Sequence, residues 1–160
     1  MISNKVIFLD VDGVLCIDSK LSDSCIKNLK RIVENTGAKI VLSSNWRLYE
    51  KYYQKLVNVF KKYNLKIYSK TIDFKDMRCL EIWIWCKKNR PDMCVIVDDR
   101  QLSYEFFGPY IKNCFIKTDP KIGIAEAQVS VIISMLNKNI LIKNNSIPQT
   151  KKKSISNGLR

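Results

Sequence analysis

The chain has 160 residues, of which 46% are hydrophobic, and carries a formal net charge of +13. That length fits a single domain able to bury its own core, and no apolar stretch approaches the roughly 20 residues of a membrane span. There is no histidine, which excludes serine-histidine and cysteine-histidine hydrolases, histidine phosphatases and HExxH metalloproteases. Acid-base work falls to carboxylates, lysines, tyrosines or metal-bound water.

Met1 to Lys5 leads straight into the first apolar run. No secretory signal is expected there, and a cytoplasmic protein is the default. The run Val6-Ile7-Phe8-Leu9 ends in Asp10-Val11-Asp12-Gly13-Val14-Leu15. A short apolar run ending in acids predicts a buried parallel strand that delivers carboxylates to the sheet edge where open α/β folds place ligands. Gly13 permits a sharp exit, so Asp10 and Asp12 converge on one point. Two anions in one place call for a cation, and an oxygen-lined pocket suits magnesium. A calcium loop is excluded by spacing: counted from Asp10, its sixth position holds Leu15 and its twelfth Leu21, where glycine and glutamate are required.

Residues 14 to 21 predict a short irregular or hairpin segment, and Ser22 or Asp23 caps a helix to about Asn35 with Ile26, Leu29, Ile32 and Val33 on one face. Thr36-Gly37 stops it. Ala38 to Ser44 reads as a second buried strand ending in hydroxyls, which completes a βαβ unit. From Trp46 to about Tyr63 the spacing of Tyr49, Tyr52, Tyr53, Leu56, Val57 and Phe60 is helical, and most of that aromatic stripe is assigned to the core. Leu65 to Tyr68 predicts a short strand, Asp76 to Asn89 a tryptophan-rich helix stopped by Arg90-Pro91, and Cys94 to Asp99 another apolar strand ending in acids. Asn113 to Ile116 gives a last strand and Ile124 to Leu136 a last helix.

The domain is therefore drawn over residues 1–137, with 138–160 as the helix end and a basic tail. The tail carries Lys138, Lys143, Lys151, Lys152, Lys153 and Arg160 without an acid. Thr150-Lys151-Lys152-Lys153 is a candidate nuclear address, although so short a basic run is more often a solvated end. Cys16, Cys25, Cys79, Cys86, Cys94 and Cys114 form no C-x-x-C pair and have no histidine to complete a zinc site, so they are expected to be reduced core residues. The C-x5-R spacings at Cys25–Arg31 and Cys94–Arg100 are rejected as phosphatase loops. The first lies in a helix and the second crosses a buried strand ending in repelling carboxylates, so neither can wrap a phosphate in backbone N–H groups.

Three parallel strands thus finish in Asp10/Asp12, Ser43/Ser44 and Asp98/Asp99, with Lys75 and Arg78 opening the helix before the third. This is the inventory for holding a metal and a phosphate together. In that order the segments resemble the four motifs of the haloacid dehalogenase superfamily of phosphotransferases. The wording Ile40-Val41-Leu42-Ser43-Ser44-Asn45-Trp46-Arg47, Val95-Ile96-Val97-Asp98-Asp99-Arg100 and Phe115-Ile116-Lys117-Thr118-Asp119 is similar to its small capless domains in RNA-repair proteins of the Swiss Army Knife type.

The resemblance implies a three-layer, Rossmann-like α/β domain with a mostly parallel sheet and a magnesium-dependent phosphatase. In that scheme Asp10 is the nucleophile that forms an aspartyl-phosphate, and Asp12 is the acid that protonates the leaving oxygen and the base that then activates water. Asp10, Asp99, Asp98 and the Asp12 carbonyl would hold the metal. Ser43, Ser44 or Asn45 would bind phosphate, with Arg78 preferred to Lys75 as the cation. The chain leaves no room for a substantial cap. The implied partners are a phosphate on a nucleic-acid end, a phosphoprotein or a small phosphomonoester, with no membrane. The alternative is a module that recognises phosphate without turnover.

Overall fold

The computed structural model describes residues 4–102 and 113–138. Five strands, β1 (Lys5–Leu9), β4 (Lys39–Leu42), β5 (Ile67–Lys70), β6 (Met93–Asp98) and β7 (Phe115–Lys117), pair in parallel in the order β5-β4-β1-β6-β7. A hairpin of β2 (Cys16–Ile17) and β3 (Lys20–Leu21) follows β1. Its two turn residues, Asp18 and Ser19, both have positive φ, 47° and 63°, the backbone that a two-residue hairpin turn demands.

Among the described residues, four helices cover the sheet: α1 (Asp23–Thr36), α2 (Glu50–Lys62), α3 (Arg78–Asn89) and α4 (Glu126–Asn137). The apolar strands are buried on both faces, as a parallel sheet between helices requires. Ile7, Leu9, Ile40, Leu42, Val95 and Val97 pack with Ile26, Leu29 and Ile32 of α1, Leu56 and Phe60 of α2, and Val129, Ile132 and Leu136 of α4. The alternate residues Val6, Phe8, Val41, Cys94 and Ile96 pack with Ile82, Trp85 and Cys86 of α3, and the ring of Trp85 stands edge-on to Phe8. The expected three-layer α/β architecture is therefore present. No disulfide joins the six cysteines; five are buried and Cys79 is half-buried. Among the described residues, no helix is long and apolar enough to cross a membrane.

Several boundaries move for local reasons. Helix α3 starts at Arg78 rather than Asp76 because Lys75 and Asp76 have φ of 51° and 63°, which no right-handed helix contains. Strand β5 begins two residues late because the N–H of Leu65 closes the end of α2 on the Phe60 carbonyl. The single helix predicted from Trp46 to Tyr63 is two: a 3-10 turn over Asn45–Leu48, then α2, with Tyr49 extended between them. The Ser44 hydroxyl, which accepts from the Trp46 N–H at 3.3 Å, sets that turn. As a result the aromatic stripe is not mostly core. Leu56 and Phe60 are buried, whereas Tyr49 and Tyr52 are exposed. Helix α4 ends at Asn137, and the tail expected beyond Lys138 lies outside the described residues.

Gly123 shows how tightly the loop after β7 is seated. Its φ is +74°, and an added Cβ would lie 2.4 Å from the Val14 carbonyl oxygen and 2.7 Å from the Cys25 sulfur. Gly123→Ala is expected to cost more than the ~1–2 kcal/mol of a left-handed alanine, because backbone must also shift. A lower urea midpoint with an unchanged slope would show it.

Candidate active site

Strand order places the site. From β1 the chain winds outward through β4 and β5, then crosses back to lay β6 on the other side of β1. Where the direction of winding reverses, a crevice opens beyond the carboxyl ends of the two strands. Asp10 follows β1 and Asp98-Asp99 end β6, so the two acidic segments face one another across this crevice. The ladder continues into it, the Asp10 N–H donating to the Val97 carbonyl at 3.0 Å.

The loop after Asp10 is wound on one atom. The Val11 carbonyl accepts from the N–H groups of Val14, Leu15 and Cys16 at 3.2, 2.8 and 2.8 Å. Gly13 (φ 68°) makes the turn, and there is no space for a larger residue: a Cβ would fall 2.5 Å from the Asp99 carboxyl carbon. The Asp99 carboxylate thus rests against the glycine. From the far side, the Thr118 hydroxyl donates to the Gly13 carbonyl at 2.8 Å, fixing the loop to the end of β7.

Carboxylate oxygens of Asp10, Asp98 and Asp99 all lie within 4.8 Å of one another. Arg78, the first residue of α3 and buried, donates to Asp98 at 2.7 Å and stands 3.4 Å from Asp10. Asp98 also accepts from the Arg100 N–H at 3.0 Å. Burial, with Asp10 adding to it, pushes the Asp98 carboxyl up to about 6, against the pull of Arg78. The same two causes, in the same order, raise Asp99. Three hard, partly desolvated carboxylates thus face the guanidinium of Arg78 and that of Arg100, which stands 3.7 Å from Asp98, a charge balance that a divalent cation suits. The donor set fits magnesium, and the glycine cradle under Asp99 fits a carboxylate that must be held in one place.

The remaining sequence candidates divide. The carboxylate of Asp12 is not among the three; it is exposed, and accepts from the Trp46 indole N–H at 2.9 Å. Ser43 is fully buried and its hydroxyl has no hydrogen-bond partner, whereas the Ser44 hydroxyl is used on the 3-10 turn. Asn45 is exposed at the rim of a cavity of ≈ 300 Å³ that also takes in Asp12, Cys16, Ser19, Trp46, Tyr49, Tyr52 and Lys55. Lys75 is exposed on the loop before α3. Of the two proposed cations, the structure brings Arg78 to the acids.

Arg47 and Glu81 organise the site without having been assigned to it from sequence. The buried Arg47 guanidinium donates to the carbonyls of Ser43 (2.7 Å), Ser44 (2.9 Å), Thr71 (3.1 Å) and Ile72 (2.9 Å), and to Glu81 at 2.8 Å. The other Glu81 oxygen accepts from the Phe74 N–H at 2.9 Å. One side chain thus ties the exits of β4 and β5 to α3, one turn from Arg78. Burial, and to a lesser degree Arg78, lowers the pKa of Arg47, while Glu81 opposes the shift. The signal in the sequence was only positional: an arginine four residues after a strand-end serine, and a glutamate three after Arg78.

The family model described as "HAD domain in Swiss Army Knife RNA repair proteins" matches residues 6–129. That span runs from the first residues of β1 into α4 and contains every candidate site residue. Comparison with curated proteins and with solved structures gives no match.

Two outcomes follow from this geometry. Arg47→Met takes the closest cation from buried Glu81 and the side-chain donor from four carbonyls, and is expected to cost about 3–5 kcal/mol in urea unfolding. The second concerns pH. Asp98 holds its proton to about 6, from an ordinary value of 3.8, so between those values the folded, metal-free protein binds more protons than the unfolded chain. Its contribution to stability is then present at low pH and lost as pH rises through that window. Unfolding curves in chelator from pH 4 to 7 should show the loss, and Asp99→Asn, which removes the second raised group, should make it shallower.

Proposed function

Given that the chain belongs to the family of HAD domains in Swiss Army Knife RNA repair proteins, we propose that it is a magnesium-dependent phosphatase that hydrolyses a phosphomonoester through an aspartyl-phosphate. The observation that carries this reading is the convergence of Asp10, Asp98 and Asp99 within 4.8 Å, with the Arg78 guanidinium alongside.

An oxygen of the Asp10 carboxylate attacks phosphorus, and the bond from phosphorus to the alcohol oxygen breaks. Asp12 gives that oxygen a proton as it leaves. In the second step Asp12 takes a proton from water, the water oxygen attacks phosphorus, and the bond to Asp10 breaks to release inorganic phosphate. The Trp46 indole, bonded to one Asp12 oxygen, orients the carboxylate for this exchange. The free Ser43 hydroxyl donates to a phosphate oxygen, and Arg78 offsets charge on the transferring group. Asp10 and Asp99, with Asp98 and the Asp12 carbonyl in support, would hold magnesium, which would supply the positive charge that lets a carboxylate approach a phosphate dianion.

Among the described residues, the insertions beside Asp12 are the short β2-β3 hairpin and the 3-10 turn. A site so little covered admits a phosphate on a large molecule, and the net charge of +13 favours a polyanion such as a nucleic-acid end.

Asp10→Asn is expected to abolish turnover and keep the fold, measured by phosphate release and circular dichroism. Asp99→Asn should do something a structural residue would not: lose magnesium-dependent activity while the metal-free protein becomes more heat-stable at pH 8, because one of three crowded charges is gone. Magnesium should raise the melting temperature of the wild type and not of Asp99→Asn. Wild-type turnover in excess chelator would overturn the metal requirement.

A further inference from the structure

Two rings that helical spacing assigned to the core stand outside it: Tyr49 is 60% exposed and Tyr52 46%. Singly, an exposed tyrosine needs no explanation. These two line the ≈ 300 Å³ cavity together with the buried Trp46 and with Asp12, to which the Trp46 indole donates. Trp46 and Tyr52 lie 5.2 Å apart, centroid to centroid, at 42°, and Tyr52 meets Tyr49 edge-on at 6.2 Å and 89°. The rings hold one another in place without covering one another, which leaves aromatic surface facing the cavity. Lys55 lines the same cavity, its ammonium 5.8 Å from the Trp46 ring centroid, and Asn45 adds an amide at the rim.

An aromatic wall with a cation and hydrogen-bonding groups, next to a phosphate site, matches a flat heteroaromatic ring tethered to a phosphate. In a nucleotide the sugar holds the base away from the phosphate, so a phosphate at Asp10 lets the base reach a wall that begins beyond Asp12. The ring of a phosphotyrosine is bonded directly to the ester oxygen and would stop at the mouth of the site.

We propose that Tyr49, Tyr52 and Lys55, backed by the buried Trp46, form a base-stacking subsite for the nucleotide that bears the scissile phosphate, so that the substrate is a single-stranded nucleic-acid terminus. The inference rests on the phosphatase reading above and narrows it. A paired terminal base is already stacked in its duplex and must leave it to be bound.

The test compares full-length wild type, Tyr52→Ala, Tyr49→Ala/Tyr52→Ala, Tyr52→Phe, and Tyr68→Ala as an exposed tyrosine outside the cavity. The substrates are glycerol phosphate, which has no base, and a single-stranded dinucleotide phosphorylated at either end. Base-aromatic stacking of ~1–3 kcal/mol corresponds to about 5- to 150-fold. The dinucleotide-to-glycerol phosphate ratio of kcat/KM should fall by such a factor in the double variant, through KM, and should persist in Tyr52→Phe and Tyr68→Ala. Binding of the same dinucleotide to Asp10→Asn protein, with and without the two alanines, is followed by tryptophan fluorescence and should weaken by the same factor. If wild type hydrolyses neither substrate but this binding loss is seen, the phosphatase reading fails and the subsite stands. A ratio and an affinity unmoved by the double variant would overturn the subsite, as would a phosphotyrosine peptide being preferred to the dinucleotide with the same dependence on the two tyrosines.

Discussion

Mutual repulsion among Asp10, Asp98 and Asp99 is the constraint around which the molecule is built. Three carboxylates within 4.8 Å, at the end of a sheet buried on both faces, would not stay together on packing alone. Arg78 holds two of them. Arg78 in turn is kept in place by its position at the start of α3, and α3 is tied to the sheet by the Glu81–Arg47 ion pair. Arg47 closes the chain of dependence by gripping the carbonyls at the exits of β4 and β5. What reads as a set of catalytic motifs is also one continuous charge network through the upper edge of the sheet.

The network accounts for what the amino-acid sequence did and did not disclose. Strands β1, β4 and β6 were legible because a parallel sheet buried on both sides demands unbroken apolar runs, and the acids and serines at their ends stood out against those runs. The choice between Arg78 and Lys75 was legible only as a preference, since it turns on two left-handed residues, Lys75 and Asp76, that end a loop where helix was expected. The clamp formed by Arg47 was not legible. Its partners are main-chain carbonyls from distant strands, and carbonyls leave no mark in a sequence. The same holds for Thr118 on Gly13. The tyrosines failed for the opposite reason: their spacing was a true helical signal, but a 3-10 turn set by Ser44 rotated the start of the stripe away from the core.

Among the described residues, four buried side-chain atoms lack a hydrogen bond: the Ser43 and Thr71 hydroxyls, Arg78 Nε, which stands 3.9 Å from Glu81, and one Arg100 nitrogen. Ser43 follows β4 and Arg78 opens α3. A donor left open in the interior is costly, so this edge of the sheet carries a polar cost that the apolar core below it does not.

The Asp10 N–H bonds to Val97 across the sheet, which means that the site is made from the two ends of the domain. The loop carrying Asp10 and Asp12 has no strand to receive the Asp10 N–H until β6 pairs with β1. Until then Asp10 has neither Asp98 nor Asp99 beside it. The cluster of three carboxylates is therefore completed in one step, when the central strand receives β6 as its neighbour.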